Sequence, residues 1–158
     1  MSANILNAKE GLSIIRSNDA DIPFITIAAS GTTTATTANK LVDSSASFGD
    51  NVVEVGDIVY NTTDTTAATV TAIDSDTTLS LNVNLIEDAQ TYVIYKGNQN
   101  RGCLVYVGTT GNINCITAGG SALLIENVAV GILGGTCPIQ VKKILSTSTT
   151  AAKLIALW

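Results

Sequence analysis

The chain has 158 residues, a net charge of −5 and no histidine; 13% of its side chains are charged and 46% are apolar. An apolar fraction this high can fill a core, which with only two prolines argues against disorder. It leaves few parts for catalysis, because the usual proton carrier near neutral pH and the usual base of a Ser or Cys nucleophile are both missing.

About one residue in seven is Thr, and Thr, Val and Ile favour a pleated backbone because a branched Cβ restricts χ1. The expected class is therefore all-β, with a length that suits one ordinary domain or two small ones. No apolar run approaches the roughly 18 residues that span a bilayer. The longest, Ala122 to Leu133, is broken by Glu126, Asn127 and Gly131. The opening MSANILNAKEG has no basic start followed by an apolar stretch, so no secretion signal is expected.

Charge divides the chain. Residues 1–40 balance at zero, residues 41–95 carry nine acids and no base, and residues 96–158 carry five bases against Glu126 alone. Such a split predicts two surfaces with different neighbours. Linker-like composition at Gly31 to Thr37 and at Gly97 to Asn100 bounds the acidic stretch. Within it, Asp57 to Tyr60, Ala68 to Ile73, Thr78 to Val83 and Thr91 to Tyr95 are predicted strands. Thr69 to Ile73 and Thr78 to Val83 alternate apolar and polar residues, the period of a strand with one buried face. Short strands joined by turns such as Asp74 to Thr77 suit a small barrel or curled sheet.

Beyond it, strands are predicted at Cys103 to Val107, Asn112 to Thr117, Leu123 to Val130, Pro138 to Leu145 and Ala152 to Trp158. Gly108 to Gly111 and Ala118 to Gly120 read as turns, and Gly131 to Gly135 as a flexible bend. The doubled Lys142-Lys143 interrupts the alternation and predicts a bulge. Trp158 stands where a chain frays unless a sheet or a neighbour holds it.

Candidate chemistry is sparse. Cys103, Cys115 and Cys137 are odd in number, widely spaced and without His, so they read as small buried hydrophobes rather than zinc ligands, with a structural disulfide as the alternative. Asp74 and Asp76 with Thr77, or Asp50 with Glu54 and Asp57, offer hard oxygens. Neither set forms the twelve-residue calcium loop, and both read as turn acids. Asn61-Thr62-Thr63 fits the glycosylation tripeptide by chance. No phosphate loop and no basic–aromatic stripe occurs, and the acids lack an aromatic platform for a sugar. The expectation is a non-enzymatic protein without cofactor or metal, binding neither nucleic acid nor membrane.

Several stretches then match a known pattern in order and spacing. These are Val105-Tyr106-Val107-Gly108-Thr109-Thr110-Gly111-Asn112-Ile113, Thr117-Ala118-Gly119-Gly120 and Ile125-Glu126-Asn127-Val128-Ala129-Val130-Gly131. Cys137-Pro138-Ile139-Gln140-Val141-Lys142-Lys143-Ile144 and Thr149 to Trp158 complete the series. From Cys103 to Trp158 the chain resembles the head spike base proteins of tailed phages and gene transfer agents. Ser17 to Pro23 resembles that family's N-terminal segment, but here about seventy further residues precede Cys103. That departure fits an inserted module, and Lys40 to Tyr95 is itself similar to small β-modules of phage structural proteins.

The resemblance implies an antiparallel β-sandwich, jelly-roll-like, built from residues 1–30 and 101–158, carrying residues 40–96 as an inserted acidic β-barrel. It implies a capsid decoration or vertex protein on the virion surface, made in the host cytoplasm. The implied partners are copies of itself (a pentamer or a trimer), the major capsid protein, and a spike or fibre protein. Lys142, Lys143, Lys153 and Trp158 become the candidate residues for self-assembly and capsid contact. A tail or fibre component and a host-surface-binding module are the alternatives.

Overall fold

The computed structural model describes residues 9–49, 52–84, 86–135 and 138–158. Among them there is no helix, and thirteen strands form three antiparallel sheets, so the protein is all-β. Strands β1 (Gly11–Ser13), β13 (Ala152–Leu157), β8 (Leu104–Thr109) and β11 (Gly131–Ile132) make a four-stranded sheet in that order. Strands β10 (Ala122–Val128), β9 (Gly111–Thr117) and β12 (Val141–Ile144) make a three-stranded sheet. Both sheets feed one core: Val105, Val107, Leu154 and Ala156 from the first meet Ile113, Cys115, Val141 and Ile144 from the second.

The third sheet has six strands, in the order β2 (Ile27–Thr32), β7 (Thr91–Tyr95), β4 (Ile58–Asn61), β5 (Thr66–Ser75), β6 (Thr78–Leu81) and β3 (Lys40–Val42). It curls into a half-barrel. Its long strand β5 pairs with β4 through Thr66 to Thr69 and with β6 from Val70 onward, with register shifts at Val70/Ala72 and Ile73/Ser75. Bulges of this kind bend a strand and tighten its twist. The chain just past β2 then bridges Ala35 to Val42 on β3. Leu41, Phe48, Val53, Val59, Val70, Leu79, Tyr92 and Ile94 fill this second core.

Four sequence expectations need correction. Ile27 to Ser30, grouped with the base, lie in β2 and pair with β7 of the acidic half. Gly31 is strand rather than linker: a Cβ there would sit 2.4 Å from Asp43 Oδ2 and 2.7 Å from the Tyr92 hydroxyl. Those two groups are hydrogen-bonded to each other at 2.8 Å, so this glycine reflects close approach and not flexibility. Gly131 and Ile132, read as part of a bend, pair with Val107 and Tyr106. The strand expected from Pro138 begins at Val141, since Pro138 to Gln140 join no ladder. The bulge expected at the lysine pair is present, as a register shift between Val141 and Lys143 against β9.

Candidate assembly surface

In the four-stranded sheet, residues directly opposite one another share a face. Leu104 pairs with Leu157, and Tyr106 pairs with Ile155 on one side and Ile132 on the other. Val105, Val107, Leu154 and Ala156 point into the core. Strand alternation therefore sends Leu104, Tyr106, Ile132, Ile155 and Leu157 to the opposite face. None of the five belongs to a core cluster, and Tyr106 at their centre is 37% exposed. Gly11, opposite Leu157, adds no side chain to cover its neighbours. Separately, strand β10, at the edge of the three-stranded sheet, exposes Leu123 and Leu124, the latter 50%. The motif signal for this face was already present, since Val105-Tyr106-Val107 and Leu154 to Leu157 alternate apolar residues on both sides. A strand apolar on both faces is covered on both faces.

The four residues singled out for assembly lie on different elements. Lys142 and Lys143 lie on β12, Lys153 on β13, and Trp158 just beyond the far end of β13. Lys143 is engaged internally, its ammonium 3.2 Å from Asp21. Trp158 is held too: its ring packs edge-on against Phe24 at 5.3 Å, and its indole N–H donates to Asn100 Oδ1 at 3.2 Å. Its carbonyl also accepts the Lys9 amide at 2.7 Å. Lys142 and Lys153 make no ion pair among the described residues.

Between the halves runs residues 14–26. Ile22 N–H donates to the Lys142 carbonyl and Phe24 N–H to the Lys96 carbonyl, while Ser17 Oγ donates to the Ala67 carbonyl at 3.2 Å. Leu12 and Ile15 pack on the Ile58, Tyr60 and Ala67 face of the six-stranded sheet. The Tyr60 hydroxyl, buried there, is driven far above the ordinary tyrosine range by desolvation.

The acidic candidates are structural. Asp57 is fully buried and accepts from Lys96 Nζ at 3.1 Å, Glu54 N–H at 2.9 Å and Gly97 N–H at 3.1 Å. Burial works against charge on Lys96, but hydrogen bonds to Asp57 and Glu54 outweigh it and lift its pKa above the usual lysine value. Asp74 is held below the usual carboxylate range by Lys40, 2.6 Å away, and by Ser80. No set of three metal-binding groups occurs among the described residues, and Asp50 lies outside them. Asn61 is buried and donates to Gln90 Oε1 at 2.8 Å, so its amide is closed to a glycan.

Cys103 and Cys115 are buried free thiols in the shared core, as small hydrophobes would be; Cys137 lies outside the described residues. Burial pushes the Cys103 thiol up to about 12 and raises Cys115 as well. The thiolate is the reactive form. Iodoacetamide at pH 8 should therefore leave both unmodified in the folded protein and label both in denaturant, as read by peptide mass mapping. Labelling of either at the denatured rate in the native state would contradict the packing.

No family model matches the chain, and neither the curated proteins nor the solved structures include a match.

Proposed function

We propose that this chain is a non-enzymatic structural protein of a tailed-phage particle, a capsid decoration or vertex protein that self-assembles on the major capsid shell. One observation carries the reading: the four-stranded sheet turns an aliphatic face with Tyr106 at its centre away from both cores. A half-exposed apolar face on a rigid β-frame is a surface for association. Identical subunits bury such faces by closing symmetric rings. The resemblance of Cys103 to Trp158 to head spike base proteins supplies the particle and the finer architecture, a jelly-roll-like sandwich carrying an inserted barrel.

On this reading the basic half, with Lys142 and Lys153 free of ion pairs among the described residues, meets an acidic shell. The acidic half projects into solvent, where like charge keeps particles apart. Cryo-EM of particles carrying the chain should show rings on the shell with residues 41–95 outermost. A map with residues 41–95 wedged beneath the ring would reverse the orientation. Absence of the chain from purified particles would end the proposal.

A further inference from the structure

A cleft of about 950 Å3 opens between residues 13–19, the turn Thr65 to Ala67 of the six-stranded sheet, and residues 146–155. We infer that this cleft is a socket for an acidic peptide segment of a partner protein, with Arg16 and Lys153 gripping its carboxylates. The inference deepens the assembly reading and rests on it only in taking the partner to be a protein.

Lys153 is the first reason. It lies within β13 yet has φ +52°, a left-handed conformation that side chains other than glycine disfavour. The residue across the ladder is Gly108, where a Cβ would come 2.7 Å from Lys153 Cβ and 2.9 Å from its carbonyl oxygen. The sheet thus makes room for a strained lysine whose ammonium has no ion-pair partner among the described residues. Strain of this kind persists where surrounding structure enforces it, and such sites cluster at ligand contacts.

Arg16 is the second. Ile14 N–H donates to the Leu154 carbonyl, which carries the chain from β1 antiparallel alongside β13, and Arg16 and Lys153 both line the cleft. Its Nη1 donates to the carbonyls of Thr149 at 2.8 Å and Ala151 at 3.5 Å. That anchors one corner of the guanidinium, and its other donors have no partner among the described residues. A planar guanidinium with donors to spare is the group best shaped for a carboxylate.

The lining also selects among anions. Among the described residues it holds no aromatic ring on which a base could stack, and Asp19 adds one negative charge at the wall. Both disfavour a continuous phosphate chain and tolerate spaced carboxylates.

Calorimetric titration of the full chain with N-acetylated, amidated hexaglutamate in low salt tests the inference. Saturable one-to-one binding is expected, weakened about tenfold by K153Q and again by R16Q, since each removes a charge-assisted hydrogen bond. Gly108→Ala, which crowds Lys153, should weaken binding similarly, and R101Q, at an exposed residue outside the cleft, should leave it unchanged. Because Arg16 also ties down two carbonyls, K153Q at an exposed side chain is the deciding variant. No saturable binding, equal affinity in K153Q, equal affinity for hexaserine, or tighter binding of oligothymidylate would each overturn it. The titration involves no particle, so its failure is distinct from absence of the chain from particles.

Discussion

Asp57→Ala should destabilise the protein by about 3–5 kcal/mol, the cost of breaking a buried ion pair by removing one partner. The carboxylate is fully buried and joins three elements: the turn at Glu54, the start of β4, and the end of β7 at Lys96 and Gly97. Without it Lys96, whose side chain is 15% exposed, keeps only the more solvated Glu54 at 3.2 Å, and two backbone N–H groups lose their acceptor. Urea unfolding followed by tyrosine fluorescence reads the six-stranded half, which holds Tyr60, Tyr92 and Tyr95. Trp158 reads the other half. A loss below about 1 kcal/mol would show that the triad is only a surface-like pair. Asp57→Ala with Lys96→Met should recover part of the loss, because no unpaired charge then remains buried. The alkaline limb has a definite sign. Folded Lys96 holds its proton to a pH above the ordinary lysine value, so its contribution is complete below that value and fades as pH rises through the raised one.

Tyr106→Asp should abolish self-assembly while leaving the fold intact. Tyr106 stands mid-face between Ile155 and Ile132 and is already partly in solvent, so a carboxylate there removes little from the core. In an oligomer the same carboxylate would be buried among aliphatic side chains. Truncating a central aromatic anchor costs about 2–4 kcal/mol per interface, which is about 30-fold or more in affinity. Native mass spectrometry should give a multiple of the chain mass for the unaltered protein and the single-chain mass for Y106D, with unchanged far-UV circular dichroism. An unaltered protein that stays monomeric, or a variant that assembles equally well, would remove this face from consideration.

The strands with clean alternation were legible in the chain: β5, β6 and β9 fall where the period of two places them. So was the bulge at Lys142-Lys143, because two adjacent polar residues cannot both keep to the outer face. The short strands were not. β1, β3 and β11 are two or three residues long, and their pairing is set by partners far along the chain, such as Leu157 for Gly11 and Leu79 for Leu41. Of the candidate site, the basic bias of residues 96–158 could be counted, but not how each charge is used. Lys143 turned inward to Asp21 and Trp158 to Phe24 and Asn100, contacts that need the 21–24 crossing to exist first.

By itself, then, the sequence determined the all-β class and the spread of charge, because branched side chains, alternation and formal charge are local properties. Tertiary structure alone decided that Gly31 is a point of close approach and that Asp57 is a buried hub. Each of these depends on which strand lies beside which, and that is a property of contacts between residues distant along the chain.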